Sequence, residues 1–401
     1  MAIHAKSLPT LLGVVTALGI CSTANAKVEP QPYVTGSGLA VVPTLGLGYR
    51  YDDNLGLTDT DTESSGIFVF EPGIALMAER GLNQYSAYYN LKVGEYFDSS
   101  IDDYVDHLAG LNAKLDLATR HRLTFDYKFA HQHEGRGSGI SEGLGGLLEE
   151  LLYYRTNDLA AVYSFGAQGA QGRFDLSLGW GDKEYTELEE TTQFRNWDEL
   201  RYGAKLFYRV SSATEAFFEI KRLEREYDVT ADGEATRDND DTFYYVGALW
   251  DITGKTSGEA KLGYETKKYD ASSREDFDGF SWEVALTYLP VDYSQFTFTT
   301  SNAAKDPDQL GDYIEEALYR LEWEHYWLER FSSRAAYAYT DESYTGIDRD
   351  DETDRFELSF AYDFRRWLEF RAGWEWQEKS SSVSGIGYDQ NVYYFTLTGT
   401  L

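Results

Sequence analysis

The stretch from residue 353 to 365, TDRFELSFAYDFR, decides the fold, because its apolar and polar side chains alternate. One face of an extended strand would carry the apolar residues Phe356, Leu358, Phe360, Tyr362 and Phe364. The opposite face would carry Arg355, Glu357, Ser359, Asp363 and Arg365. Successive side chains of a strand point to opposite sides, whereas a helix would scatter this pattern over its whole surface. The stretch therefore predicts a β-strand with one apolar and one polar face.

The same alternation recurs from residue 42 to the end of the chain and predicts about eighteen strands. A soluble sandwich would hide the apolar faces against a second sheet, but here Tyr and Trp cluster near the strand ends, as they do at membrane interfaces. We predict an all-β fold, a transmembrane antiparallel β-barrel of 16–18 strands. The predicted strands are 42–52, 66–79, 84–97, 103–118, 122–133, 155–167, 172–184, 196–211, 214–227, 241–253, 256–269, 278–290, 293–303, 313–326, 330–342, 353–365, 368–378 and 388–401.

The predicted connections alternate in length, which supports a barrel in the outer membrane of a Gram-negative cell. Every second connection is a tight turn, such as residues 80–83 and 211–213, and the others are longer and acidic, such as 134–154 and 228–240. Short turns on one rim and long loops on the other are typical of bacterial outer-membrane barrels, whose termini lie in the periplasm. Lys221 and Arg222 interrupt the alternation within 214–227 and predict a β-bulge there.

The first residues predict a cleaved signal peptide over 1–26. Lys6 gives a basic start, an apolar stretch follows, and Ala24 and Ala26 form a small-x-small cleavage site. Cys21 follows Ile20, where a lipoprotein signal needs a small residue, so lipid attachment is disfavoured. We expect residues 27–41 to form a periplasmic segment and 42–401 to form the barrel.

The composition is acidic and aromatic, with a net charge of −32 and 32 Tyr, 22 Phe and 9 Trp. A negative surface repels phosphate, so nucleic acid is excluded as a partner. The expected surroundings are outer-membrane lipid and lipopolysaccharide. After residue 26 no apolar run is long enough for a transmembrane helix.

Three local features resemble a known family. They are GYRYDDN at 48–54, EPGIAL at 71–76, and Tyr85 to Tyr96 followed by Asp106-His107 and residues 120–123, RHRL. In this order they resemble the β-barrel porins associated with exopolysaccharide and capsule gene clusters, most clearly over residues 42–130. The resemblance implies an outer-membrane conduit for exopolysaccharide export, which would need a polysaccharide substrate and a periplasmic export partner. A general diffusion porin for small solutes and a structural or adhesive surface barrel are the alternatives.

The polar faces of several predicted strands carry mixed charge and are expected to line the pore. The predicted pore-lining residues are Arg201, Lys205, Arg209, Arg320, Glu322, Glu324, Arg355, Glu357, Glu369 and Arg371. Such residues can stiffen a barrel as cross-strand ladders. They can also form a hydrophilic track on which sugar hydroxyls and carboxylates make weak, multiple contacts.

The longest connection combines a glycine-rich hinge at 135–139 with an apolar segment that predicts a short helix. Its leucines are Leu144, Leu147, Leu148, Leu151 and Leu152. An apolar patch in water needs a partner. We therefore predict that this loop folds into the mouth or lumen and constricts the pore; packing on a neighbouring loop or subunit is the alternative.

Other motifs give little indication of chemistry. The acidic runs 238–241 and 348–354 could bind Ca²⁺, although a solvated or lipopolysaccharide-bridging rim is the favoured interpretation. His131 and His133 share a strand face but lack a third ligand by spacing. No nucleophile motif, phosphate loop or zinc motif occurs, so we expect no catalytic residues, no metal, no cofactor and no enzymatic activity.

Overall fold

The computed structural model describes residues 31–400 except 168 and 253, and the predicted signal peptide lies outside them. Most of the described chain is antiparallel strand. The strands are β1 (Tyr33–Val34), β2 (Ala40–Asp52), β3 (Ser65–Arg80), β4 (Asn83–Tyr96), β5 (Tyr104–Ala118), β6 (His121–Glu134), β7 (Leu152–Phe165), β8 (Gly172–Tyr185), β9 (Trp197–Ser211), β10 (Thr214–Tyr227), β11 (Asn239–Ile252), β12 (Thr256–Tyr269), β13 (Phe277–Val291), β14 (Ser294–Lys305), β15 (Ile314–Leu328), β16 (Phe331–Tyr344), β17 (Asp350–Arg365), β18 (Leu368–Ser381) and β19 (Tyr388–Thr400).

The helical elements all lie in connections and are one turn long. They are the α-helix α1 (Glu189–Thr192) and the 3₁₀ turns Ser100–Asp102, Gly139–Ser141, Gly145–Leu147 and Gln193–Arg195. Within the described residues, no helix is long and apolar enough to cross a membrane.

The long strands β2 to β19 close into a barrel. Each pairs with the next along the chain, and β19 pairs with β2 from Val392 opposite Asp52 to Thr400 opposite Thr44. Because the barrel is closed, no strand edge among β2 to β19 has unpaired backbone N–H and C=O groups. Such groups would be energetically costly in a lipid bilayer, which offers no hydrogen-bond partners. The predicted eighteen-stranded antiparallel barrel is therefore confirmed. The short β1 forms a hairpin with the start of β2, where Tyr33 lies opposite Val41.

The two faces of the wall follow the predicted alternation. On β17 the Phe360 side chain is 45% exposed on the outside, whereas its neighbour Ser359 is fully buried on the inside. Contacts between strands that are not neighbours identify the inner face, because side chains on the outside diverge. One example is the ion pair of Lys205 on β9 with Glu259 on β12. The apolar face thus meets lipid and the polar face lines the lumen.

The predicted bulge at Lys221 and Arg222 is wrong. β10 pairs with β9 in continuous register from Glu215 to Tyr227, and its register shift lies between Thr214 and Glu215. Lys221 lies on the inner face and Arg222 on the outer face. The Arg222 guanidinium donates to Glu224 at 2.9 Å and to Asp240 at 2.7 Å, so neighbouring carboxylates balance its charge without any change of register.

The connections divide the barrel into two unlike ends. The long-loop end has nine connections, of which the first is 53–64 and the last is 382–387. At the short-turn end, which also holds the start of β2 and the end of β19, most connections have two or three residues; the exception is 166–171, between β7 and β8. The long connections contain 24 acidic and 5 basic residues, and the short turns contain 2 acidic and 4 basic ones. Almost all of the excess negative charge of the connections therefore lies at the long-loop end.

Candidate functional site

The basic row on β9 lies on the inner face and is engaged by acidic neighbours. Arg201 pairs with Asp158, and Arg209 lies 3.4 Å from Glu215. Lys205 pairs with Glu259, which lies on β12, three strands away around the wall. The three cations thus follow one strand from the short-turn end toward the long-loop end, each beside a carboxylate.

The predicted pore-lining residues on β15, β17 and β18 also face inward. Arg320 contacts Glu322 at 3.1 Å, and it lies 3.9 Å from Glu357 on β17. Glu369 and Arg371 pair at 3.1 Å on β18. Two further predicted residues share these faces, Glu324 on β15 and Arg355 on β17. The structure therefore places all ten predicted residues on the inner wall, and eight of them, all except Glu324 and Arg355, take part in the ion pairs described above.

The connection 135–151, here called the bridge loop, reaches across the long-loop end. It leaves β6 and returns to β7, yet its Glu142 contacts Arg349 at 2.7 Å and pairs with Lys379. Arg349 precedes β17 and Lys379 lies on β18, which is six strands away from β6 by the shorter path around the wall. The far end of the bridge loop is thus held by ion pairs to a distant part of the barrel.

The near end of the bridge loop is fixed by a different kind of contact. Ile140 packs against a buried cluster of Leu152, Tyr154 and Tyr185. The buried Arg136 guanidinium donates to Asp102 at 2.7 Å and to Glu63 at 2.8 Å, which joins the bridge loop to two neighbouring connections. Apolar packing and a buried ion pair thus anchor the base beside its own strands.

A second connection, 306–313, here called the latch loop, also turns inward and meets the bridge loop. The Gln309 side-chain amide donates to the carbonyl oxygens of Ile140 at 2.9 Å and of Glu142 at 2.8 Å. Arg237 donates to the carbonyl oxygen of Pro307 at 2.8 Å, from the connection between β10 and β11. The two loops together form a continuous bridge over the mouth.

Asp306 anchors the latch loop through a cage of donors. The cage comprises Arg225 at 2.7 Å, Lys267 at 3.0 Å, Tyr269 at 3.1 Å, and Tyr227 and Asn239 at 3.3 Å. Burial alone would raise the pKa of Asp306, but the two cations outweigh it and hold the pKa well below its usual range. The carboxylate therefore stays charged and holds the latch loop against the wall formed by β10 to β12.

The predicted helix in the bridge loop is wrong. The segment contains two 3₁₀ turns, Gly139–Ser141 and Gly145–Leu147. Within the predicted segment 144–152 the 3₁₀ turn ends at Leu147, because Leu148 is extended with φ −74° and ψ 134°, and Leu152 begins β7. A Cβ on Gly145 would lie 2.1 Å from the carbonyl oxygen of Gly56, so the glycines permit close contact with the connection after β2.

The five leucines predicted to constrict the pore do not act as one apolar surface; four lie in the bridge loop and Leu152 begins β7. Leu151 and Leu152 are buried beside the base of the loop, and Leu148 is half-buried. Leu144 is 50% exposed and Leu147 is 77% exposed. Polar residues that the sequence reasoning missed, Glu142 and Gln309, attach the loop instead. No spacing links them, because 167 positions separate them in the chain.

The remaining candidate motifs are engaged by residues of the barrel itself. His133 Nδ1 lies 2.9 Å from Asp106, and His131 stacks on Tyr153 at a centroid distance of 5.3 Å. In the acidic runs, Asp351 pairs with Arg349 and Asp241 lies 3.6 Å from Lys267. Among the residues that the structure describes, no group of three or more His, Cys, Asp or Glu could hold a metal ion.

A closed eighteen-stranded antiparallel barrel with an apolar outside and a charged lumen defines the class, a porin-type β-barrel of the outer membrane. The family model described as putative beta-barrel porin 2 matches residues 30–400, and the chain belongs to this family. No curated protein matches the chain.

Several solved structures share the fold at low sequence identity. The siderophore receptor PirA from Acinetobacter baumannii is 8% identical with a TM-score of 0.50, covering 90% of this chain and 80% of its own. OpdQ from Pseudomonas aeruginosa is 11% identical with a TM-score of 0.50, covering 91% and 98%. OpdO from the same organism is 14% identical with a TM-score of 0.49, covering 90% and 97%. At these identities the likeness concerns the fold alone.

Proposed function

We propose that this barrel is an outer-membrane channel through which exopolysaccharide leaves the cell. The observation that carries the proposal is the way the bridge loop is held. Its base is fixed by apolar packing at Ile140, while its far end is held by the ion pairs of Glu142 and by the hydrogen bond from Gln309 to the Glu142 carbonyl oxygen. Polar contacts exchange with water at a modest net cost, so the far end can be released while the base stays in place.

A polymer requires such a release more than a small solute does. Small solutes can pass beside a fixed constriction, whereas a chain of linked sugars occupies the mouth for its whole passage. The charged groups along the inner wall, including Arg201, Lys205 and Arg320, offer hydroxyls and carboxylates many weak contacts. Weak contacts at many sites favour conduction over retention.

The proposal includes an orientation. The short-turn end and both termini would face the periplasm, where an export partner delivers the polymer, and the acidic long loops would face lipopolysaccharide outside. The family resemblance to porins of exopolysaccharide and capsule clusters supports this direction of transport. The barrel carries no catalytic role in this proposal.

Diffusion of small solutes is the second candidate, because the bridge is in place in this structure. A bridge anchored at Glu142, Gln309 and Asp306 would act as a permanent size filter if it never opened. To distinguish the two candidates, the amounts of polysaccharide that the source cells retain and release are measured with and without the gene. We expect release to fall and polymer to accumulate in the periplasm when the gene is removed, and a wild-type copy to restore release.

Unchanged release would overturn the export proposal. Swelling of liposomes that contain the purified barrel, in solutions of small neutral sugars, then tests the diffusion candidate directly. A surface scaffold is the third class of function. In that case, removing the gene would not change polymer release, and adding the barrel to liposomes would not change their swelling. Deleting residues 138–150, which leaves β7 intact, is expected to increase swelling if the bridge is the filter.

A further inference from the structure

The short-turn end contains a cavity that the proposed function leaves unassigned. It measures about 260 Å³ and lies beneath the connection 166–171. Its lining is rich in arginine and comprises Arg122, Ala167, Gly169, Ala170, Arg173, Arg209 and Glu215. We call the three arginines with their cavity the arginine basin.

The arginines come from three strands and are held in place by the wall. Arg122 on β6 donates to the carbonyl oxygen of Gly166 at 2.9 Å, and Arg209 on β9 donates to that of Gly169 at 2.8 Å. The Arg173 guanidinium carbon lies 3.6 Å from the ring centre of Phe207, in a cation–π contact. Two arginines therefore hold the connection 166–171, and the third lies over the Phe207 ring beside them.

The basin has donor capacity beyond its internal contacts. The Arg209 Nε is buried and has no hydrogen-bond partner. A buried donor without a partner is costly, and such a group calls for an explanation such as an absent ligand. Three guanidinium groups face two carboxylates: Glu215, which contacts Arg173 at 3.0 Å and Arg209 at 3.4 Å, and Asp175, which contacts Arg173 at 2.9 Å. The local balance is positive in a chain whose net charge is −32.

We propose that the arginine basin binds carboxylate groups of anionic sugars at the short-turn mouth. This inference rests on the proposed function and names its substrate class, a polymer that contains uronic acid residues. Planar guanidinium groups match the two oxygens of a carboxylate, and Arg binds such groups in forked pairs. Glu215 competes for Arg173 and Arg209, and Asp175 competes for Arg173, which keeps the affinity low enough for a passing chain to leave.

The basin also stands at the start of the basic row. Arg209 is followed along β9 by Lys205 and Arg201, each four residues further on and on the same inner face. Four residues of a strand rise about 13 Å. A chain captured at the basin would therefore meet the next cation a few sugar units farther into the lumen.

The test is binding of a trimer of galacturonate to the purified full-length barrel in detergent, measured by calorimetry. Maltotriose, a neutral sugar of the same length, is the parallel probe. The double variant Arg122→Gln with Arg209→Gln removes two of the three guanidinium groups of the basin. The single variant Arg209→Lys keeps the positive charge but removes the planar guanidinium that binds a carboxylate through two hydrogen bonds. Arg330→Gln removes one guanidinium from the exposed turn between β15 and β16, outside the basin, and is the matched control.

We expect the wild type and Arg330→Gln to bind the galacturonate trimer equally and to bind maltotriose far more weakly. The double variant should lose at least tenfold in affinity, and Arg209→Lys should fall between them. If the double variant, with the strand content of the wild type, binds the trimer as tightly, the basin is not the site. Equal binding of the neutral trimer would also overturn the proposal, because it would show recognition of sugar without charge.

These outcomes are independent of the test of export. If the trimer binds at the basin but polymer release from cells is unchanged without the gene, the export proposal fails and the basin remains an anion site. If release depends on the gene but the trimer does not bind, export stands and the basin assignment fails.

Discussion

The long-loop end and the short-turn end are built on the same strands but are held together differently. At the long-loop end the connections carry 24 acidic and 5 basic residues. The five basic residues are all arginines, and each joins its own connection to another one: Arg136, Arg195, Arg237, Arg274 and Arg349. At the short-turn end most connections have two or three residues, which leave little freedom to order.

This difference shows how an acidic mouth can hold a fixed shape. Loops of like charge repel one another, and ordering a long loop costs conformational entropy. Forked arginines between loops offset both effects, because one guanidinium can bind two segments at once. At the short-turn end only the longer connection 166–171 is held in this way, by Arg122 and Arg209, and these arginines also line the basin.

The largest effect is expected from Asp306→Asn, which removes the charge at the centre of the latch-loop anchor. Arg225 and Lys267 would lose a buried carboxylate partner, and breaking a buried pair in this way costs about 3 kcal/mol. We expect a lower midpoint of urea unfolding and fast hydrogen exchange over residues 306–313. Asp308→Asn removes the same charge from an exposed side chain of the same loop and should leave both measurements unchanged. Slow exchange in Asp306→Asn would show that the cage does not hold the loop.

A smaller effect is expected from Glu142→Gln, which loosens the far end of the bridge loop. Arg349 keeps Asp351 as a partner, and Lys379 keeps Asp351 at 2.9 Å and Glu342 at 3.7 Å, so the wall should fold normally. A hydrogen bond between charged groups contributes about 1.5–3 kcal/mol. We expect roughly tenfold more frequent wide openings in single-channel recordings, since about 1.4 kcal/mol corresponds to a factor of ten.

The matched control for that variant is Glu149→Gln. Glu149 lies in the same loop and is exposed, so its substitution changes the net charge equally without touching the anchor. If both variants open equally often, the overall charge of the loop governs the mouth and the ion pairs of Glu142 do not.

The unequal charge of the two ends predicts an ion selectivity that salt abolishes. The acidic mouth should favour cations several-fold over anions at low ionic strength, because a narrow charged opening concentrates its counter-ions. The screening length falls from about 10 Å at 0.1 M to about 3 Å at 1 M salt. Reversal potentials across a planar membrane with a KCl gradient should therefore indicate cation selectivity at 0.1 M and little selectivity at 1 M. Anion selectivity at 0.1 M would mean that the arginine basin, and not the acidic mouth, determines the electrostatic potential that selects the ions.

The smallest effect is expected from pH in the neutral range. The pKa of Asp306 is lowered in the folded protein, so its contribution to stability is complete above the ordinary carboxyl pKa of about 4 and is lost only as pH falls through the lowered value. Protection of residues 306–313 from hydrogen exchange, corrected for the intrinsic rate, should be constant from pH 8 to pH 5. A loss of protection near pH 6 would show that another group holds the latch loop.

The sequence predicted the wall well and the mouth only in part. Alternation in stretches such as 353–365 identified the strands, and the ten charged residues predicted to line the pore lie on inner faces. The prediction failed where a local pattern was interpreted without the residues that surround it in space. The charged side chain of Arg222 predicted a β-bulge, and the leucines at 144–152 predicted a short helix. In the fold, Arg222 is balanced by carboxylates beside it, and the helical turn at 145–147 ends because Leu148 is extended.

The sequence by itself determined the strand period, the approximate strand number and the separation of short turns from long acidic loops. These features follow from two-residue alternation and from turn chemistry, which act between residues close in the chain. Only the tertiary structure decided that Glu142 meets Arg349, 207 positions away, and that Gln309 meets Ile140, 169 positions away. Such contacts depend on closure of the barrel, because closure brings loops from distant strands to one rim. The arginine basin has the same origin, since strands β6 to β9 curve together only in the closed wall.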